Sequence, residues 1–449
     1  MNLSHEMRTE ARPPRQIRFS KLFAFFIPLG ISASLVTISH VIINSTLARA
    51  AQPEAVIASY AIALSLLGIT EKPAALLRQT CSALVRDRVS FRAMSAIALY
   101  VFASIFALGL IISYTDLGRL VFRYFFGVQE NGLQETIDAY RILMFVSIFS
   151  GIRCLYHGII IFNKRTTWLT IGMIIRLVGM YALAQYYIMT GKVNSGSVGA
   201  VIFLLGMVIE AAVSVWEGRK LLKKVIPEKV EGHPISTKRQ IFQFYRPLLY
   251  YSLLAVVVGP AINAMLGKSS NMELAIASYA IAFSLAQLAQ SFFSYIHQIV
   301  LNFYRTDRTQ VIRFTLMLSF IPALLVGMLA YTPVGPWFME NQMGVNEELM
   351  QASLEALRVF MIMNLIFPWL DFFNGIVMLR GQTKIMVWSQ GSNVGVTLIV
   401  LLICIIAAPG WNGTIGALAQ SLGFLMELAV VLLVLRRVSK EPERPLARG

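Results

Sequence analysis

An all-α integral membrane protein with twelve transmembrane helices, built as two similar six-helix bundles, is predicted by three observations. Only 14% of the 449 residues are charged, while 57% are hydrophobic; soluble domains carry about 25% charged residues. Apolar runs recur that are long enough to cross about 30 Å of hydrocarbon as helices. And Ile57-Ala-Ser-Tyr-Ala-Ile-Ala63 returns almost unchanged as Ile276-Ala-Ser-Tyr-Ala-Ile-Ala282.

The expected spans are approximately 22–48, 55–80, 93–114, 138–162, 167–190, 196–217, 242–267, 274–300, 312–331, 354–378, 384–408 and 413–435. The first 20 residues are polar and basic, and the first apolar run is too long for a signal sequence, so it reads as a retained span. Cys81, Cys154 and Cys404 lie in or beside apolar runs and form no CxxC pair. They read as buried, inert thiols.

The formal charge of +16 would suggest nucleic acid in a soluble protein. Here it is a topology signal. The termini and even-numbered loops hold most of the 39 basic residues, including Arg86, Arg88, Arg92, Lys164, Arg165 and the run Arg219–Lys229. The odd-numbered loops hold only Arg49, Arg119, Arg123, Lys192 and Lys268. Both termini are therefore expected in the cytoplasm, with the chain in the plasma membrane. Anionic lipid is an expected partner, nucleic acid is not, and a monomer is expected.

Residues 25–66 align with 244–285 without a gap, with 17 identities in 42 positions. Phe25/Phe244, Pro28/Pro247, Asn44/Asn263 and Glu54/Glu273 are among them. Further along, Gly127-Val128 meets Gly344-Val345, Arg141 meets Arg358, Gly158 meets Gly375, Gly206 meets Gly423 and Glu210 meets Glu427. The chain therefore reads as a duplicated unit. Its expected divisions are a cytoplasmic segment 1–21, a bundle 22–217, a basic linker 218–241, a second bundle 242–436 and a tail 437–449. Six spans is an even number, so the repeats are parallel and related by a pseudo-two-fold along the membrane normal.

The repeated unit resembles the multidrug/oligosaccharidyl-lipid/polysaccharide (MOP) exporter superfamily, which includes the multidrug and toxin extrusion (MATE) transporters. Twelve spans, two six-span halves and a proline near the start of spans one and seven match. Within it the chain is most similar to the progressive ankylosis protein branch. That likeness is carried by Ile27-Pro-Leu-Gly-Ile31, Ala58-Ser-Tyr-Ala-Ile-Ala-Leu-Ser-Leu66, Tyr114-Thr-Asp-Leu-Gly118 and His157-Gly-Ile159. The resemblance implies a V-shaped pair of bundles exporting a small solute by H⁺ or Na⁺ exchange, with phosphate or carboxylate anions the expected class. The alternatives are a lipid-linked saccharide flippase of the same superfamily and a membrane scaffold that transports nothing.

Ionisable groups inside spans are costly unless paired or facing a wet cavity, so each marks a candidate site. Arg153 and Arg176 are deep cations whose counterparts are Leu370 and Asn393; they are expected to bind an anion or to pair with Glu71 or Glu210. Asp371, beside Leu370, is expected to be the analogous group or a partner in the second half. Asn44 and Asn263 are expected to bond between helices or to touch substrate. Coupling to H⁺ or Na⁺ is assigned to Glu71 and Lys72, beside the helix-breaking Pro73, and to His40, Glu210 and Glu427. Glu210 and Glu427 are each expected to hold their bundle through an Arg or Lys. Arg78 is expected to snorkel to the interface, and His157 and His297 to cap helices or face lipid. No HExxH, phosphate loop or metal spacing occurs in the sequence, so neither an enzyme nor a resident cofactor or metal is expected.

Overall fold

The computed structural model describes residues 17–126, 128–341, 343 and 345–438. Arg8, Arg12, Arg15, Lys440, Arg444 and Arg448, most of segments 1–21 and 437–449, and Gly127 and Gly344 of the repeat lie outside the described residues.

Secondary structure among the described residues is helical. The first half comprises α1 (Phe19–Leu47), α2 (Pro53–Thr70), α3 (Lys72–Ala75), α4 (Leu77–Leu84), α5 (Arg88–Tyr114), α6 (Asp116–Leu120), α7 (Glu130–Phe162), α8 (Thr167–Met189) and α9 (Gly196–Lys224). The second comprises α10 (Lys238–Leu266), α11 (Met272–Ser291), α12 (Ile296–Phe303), α13 (Arg308–Ser319), α14 (Ile321–Tyr331), α15 (Val334–Asn341), α16 (Glu347–Leu379), α17 (Lys384–Ala407) and α18 (Gly413–Val438).

Among the described residues, eleven helices are long and apolar enough to cross a membrane, or twelve if one bent pair counts as a span. That pair is the expected span 55–80, which breaks at Glu71 and bends by 53° between Ala55–Thr70 and Lys72–Leu84. The cause is local: Pro73 has no N–H to give and its ring crowds the preceding turn. The second half has Phe292 at the equivalent place, and there Leu274–Phe303 qualifies as one 30-residue span.

Three apolar cores organise the molecule. One is confined to the first half, around Ile43, Tyr60, Phe122, Tyr140 and Met207. A second is confined to the second half, around Ile262, Tyr279, Phe360 and Ile415. The third joins both halves and the linker, through Phe26, Leu77, Ile226, Phe244, Phe293, Ile299 and Phe314. The halves thus share one core at the linker end and keep separate cores at the far end, which is a V.

The linker is clasped to the first half. Asp87 caps α5, and its other oxygen accepts from the Val230 amide at 3.0 Å. Arg88 donates to the Leu222 carbonyl at 2.7 Å, and Arg92 pairs with Glu228 at 2.9 Å. Burial works against the Asp87 charge, but the bonds from Ser90 and Val230 hold its carboxyl below the usual range.

The repeat also fixes how α4 and α12 dock. A Cβ on Gly158 would lie 2.5 Å from the Cys81 Cβ and 2.9 Å from the Arg78 carbonyl. On Gly375 it would lie 2.9 Å from the Val300 Cβ and 3.2 Å from the His297 carbonyl. The two glycines let equivalent short helices approach α7 and α16 at equivalent points. Gly158→Ala should therefore cost about 1–3 kcal/mol through overpacking, and Gly375→Ala less. Thermal unfolding of the two variants in nanodiscs checks the ranking; equal loss would sink it.

Candidate functional site

Three helices of the first half converge on one buried carboxylate. Glu210 of α9 accepts from Arg176 of α8 at 2.8 Å and from Arg153 of α7 at 3.1 Å. The Glu210 and Arg176 side chains are each 1% exposed. One turn along α7 from Arg153, the ring of buried His157 reaches to 4.0 Å from Glu210. Gly206 makes room for the crossing: a Cβ there would lie 2.5 Å from the Met180 sulfur and 3.1 Å from Arg176 Cγ.

The cluster lines a cavity of about 330 Å³ with Glu71, Arg78, His40 and Phe203. Arg176 lies over the Phe203 ring at 5.1 Å, and His40 stacks on the same ring at 5.6 Å. Glu71, at the helix break, accepts from Ser150, which in turn accepts from Arg153 at 3.2 Å. Three guanidinium groups therefore face two carboxylates. Among the described residues, Arg153 Nε and Arg176 Nη2 are buried without a hydrogen-bond partner.

The second half is built differently at the same place. Glu427, 1% exposed, accepts from Asn393 Nδ2 at 2.6 Å, and its other neighbour is the buried Tyr251. Neither is a cation, so the expected Arg or Lys partner is absent among the described residues. The reason is in the sequence: Leu370 and Asn393 stand where the first half has Arg153 and Arg176. Asp371 instead holds His297, accepting from its backbone N–H at 2.9 Å and lying 3.0 Å from its Nδ1.

A second cavity, of about 340 Å³, straddles the seam between the halves. It is lined by Lys72, Arg78 and Gln79 from one half and by Tyr251, Ser252, Ser294, Tyr295 and His297 from the other. Arg78 donates to the Tyr295 hydroxyl across the seam, and both residues line both cavities.

Of the expected site residues, the structure brings together Arg153, Arg176, Glu71, Glu210 and His40 in the first cavity and puts Lys72 in the second. Glu427 touches the second only through Tyr251, and Asp371 only through His297. Asn44 and Asn263 are exposed, line neither cavity, and make no interhelical bond among the described residues. Each sits about a turn from its helix end, off the face that carries the buried Ile43 and Leu47 in α1 and Ile262 and Leu266 in α10. The expectations for Arg78, His157 and His297 are corrected. Arg78 is drawn into the cavities because the break at Glu71 turns α4 inward, and the two histidines are buried against carboxylates. Tyr251 and Tyr295 were not foreseen; neutral hydroxyls in apolar runs carry no charge signal.

The first half matches the family model described as progressive ankylosis protein (ANKH) over residues 12–194. Among solved structures, a MOP superfamily transporter from Pyrococcus furiosus, described as having a binding pocket of reverse polarity, is similar with a TM-score of 0.73 at 15% identity. The match covers 93% of this chain and 95% of that one. The chain shares the fold of that transporter. A multidrug resistance MATE family transporter in an outward-facing conformation matches this MATE-like chain with a TM-score of 0.70 at 16% identity, over 94% of this chain and 96% of that one. A MATE in a bent conformation matches at 0.72 and 15% identity, over 94% and 95%. No curated protein matches the chain.

The unequal carboxylates of this MATE-like chain should respond unequally to neutralisation. Glu210→Gln strands two buried cations and should cost about 3–5 kcal/mol. Glu427→Gln keeps an acceptor for Asn393 and should change stability by under about 1 kcal/mol. Thermal unfolding of both variants tests the contrast, and comparable losses would refute it.

Proposed function

We propose that the chain is a secondary transporter that exports a small anion bearing phosphate or carboxylate groups by alternating access of its two halves. The observation that carries this reading is the surplus of guanidinium donors in the first cavity. Arg78, Arg153 and Arg176 face only Glu71 and Glu210 among the lining residues, and three buried guanidinium nitrogens, Arg78 Nε, Arg153 Nε and Arg176 Nη2, are left without partners among the described residues. A buried unpaired donor is costly, and a bound phosphate or carboxylate would satisfy it with short charge-assisted bonds. The volume also suits a small ligand, since such pockets begin near about 300 Å³.

Orientation rests on the basic residues. With Arg86, Arg88, Arg92 and the linker lysines in the cytoplasm, the shared core lies at the cytoplasmic end and the V opens outward. Ligand is then held in the first half while the cytoplasmic side is closed. The drive would come from H⁺ or Na⁺ binding differently in the two states. Glu427 suits that role in the second half: it is buried, lacks a cation, and leaves its Oε1 without a partner among the described residues. Glu71 suits it less directly, through its place at the bend.

Uptake into proteoliposomes under separate H⁺ and Na⁺ gradients tests the proposal. Pyrophosphate or citrate should be transported and cationic dyes should not. Arg153→Gln should lower anion transport about 10–100-fold, the loss expected for one or two charge-assisted bonds. Transport of the dyes alone would overturn the anion reading.

A further inference from the structure

The seam cavity sits on the molecule's own symmetry axis. The helices α4 and α12 correspond with an offset of 219 residues, so Arg78 is the counterpart of His297, and Ala75 of Ser294. All four line the seam cavity. A space lined by both members of equivalent pairs lies where the pseudo-two-fold passes. Any rocking of one half against the other must change its shape.

Its charge is one-sided. Lys72, Arg78 and His297 line it together with the hydroxyls of Tyr251, Ser252 and Ser294, and no carboxylate is among the lining residues. The equivalence explains why Arg78 stands free. In the second half His297 is held by Asp371. The first-half counterpart of Asp371 is Cys154, which offers Arg78 only a sulfur at 3.5 Å. Lacking that carboxylate, Arg78 reaches across the axis to Tyr295, and among the described residues it forms no ion pair and its buried Nε has no partner. A guanidinium that shares two cavities and has only neutral partners is a cation awaiting an anion.

We infer that the seam cavity is a second anion site in series with the first, held by Lys72 and Arg78 of one half and by the hydroxyls of Ser252 and Ser294 of the other, which turn to the anion from the Leu249 and Ser291 carbonyls to which they donate when the site is empty, with Arg78 the ligand common to both. The inference rests on the anion reading given above. Ligand at the seam site competes with the Tyr295 hydroxyl for Arg78, so occupancy loosens a contact between the halves. The anion then passes to the first site without leaving the guanidinium. The two sites bind the same phosphate or carboxylate chemistry, and the first, with more buried donors, binds more tightly.

Calorimetric titration of the full chain in nanodiscs with pyrophosphate, repeated with citrate, tests this. Two classes of site are expected. Lys72→Gln and Ser294→Ala, both away from the Glu210 cluster, should each weaken the second class about tenfold or abolish it and leave the first within about twofold. Arg153→Gln should weaken the first class, and Arg78→Gln both. A single class that Arg153→Gln weakens and that neither Lys72→Gln nor Ser294→Ala alters would overturn the seam site while leaving the anion reading standing. No binding of either probe by the folded wild-type chain would overturn both. Arg78→Gln weakening one class only would overturn the shared ligand.

Discussion

Glu210 between two arginines is the interaction on which the first half depends. A lone carboxylate or guanidinium buried at this depth would cost several kcal/mol. Three helices each contribute one member, so α7, α8 and α9 must pack in one register for any of them to be tolerated. The pair is not balanced, however. One carboxylate cannot accept from every N–H of two guanidinium groups, and the residue of that mismatch is what faces the cavity. The same contact that locks the bundle therefore leaves it short of negative charge. Structural and functional readings of Arg153 and Arg176 are not alternatives here; on the proposed reading, the lock itself creates the vacancy for an anion.

The second half shows what the frame looks like without that demand. Its backbone follows the first closely enough for Gly158 and Gly375 to meet equivalent atoms, and Gly423 crowds Asn393 as Gly206 crowds Arg176. Yet Glu427 meets an amide and a phenol, and among the described residues of this half the only pair comparable to Arg153–Glu210 is His297–Asp371, one residue removed from the equivalent position on α16. Duplication supplied the scaffold twice; the charges were then distributed unequally across it. Under the proposed function, unequal charge in equal frames suits the two halves to different ionic tasks, one to an anion and one to a proton or small cation.

Much of this was legible in the sequence. Hydropathy gives the spans because the bilayer forces backbone groups to pair within helices. The repeat gives the halves, and the mismatches between copies point to Arg153, Arg176 and Glu71. The rest was hidden for definite reasons. Depth along an unbroken helix puts Arg78 near an interface, but the bend at Glu71 swings α4 and turns that residue inward. Spacing cannot say that Arg153 and Arg176 share one carboxylate, because their common partner lies on a third helix. Nor can it reveal Tyr251 or Tyr295, whose importance comes from what lies opposite them. The comparison that finds Arg78 is available in sequence, with Cys154 facing Asp371 and Arg78 facing His297. It becomes informative only once those pairs are known to touch.

The character of the seam follows from the same economy of charge. Across it run aromatic contacts, Phe23 on Phe314 at 4.9 Å and Phe25 on Phe303 at 5.1 Å, and neutral hydrogen bonds, Ser82 to Gln298 at 2.8 Å and Tyr245 to the Pro73 carbonyl at 2.9 Å. Among the described residues no carboxylate–cation pair joins the halves through the apolar spans; every ion pair lies within a half or between the first half and the linker. Lipid tails are as apolar as phenylalanine, so parting such a surface inside a membrane forfeits packing but little hydrophobic free energy. A buried ion pair there would have to be broken and both charges resolvated in every cycle. Keeping the ion pairs inside each half leaves the halves rigid and the boundary between them separable, which the proposed cycle requires. Among the described residues, Arg78 is the one charged group whose bond crosses the boundary within the cavities, and its partner is a phenol that an anion can displace.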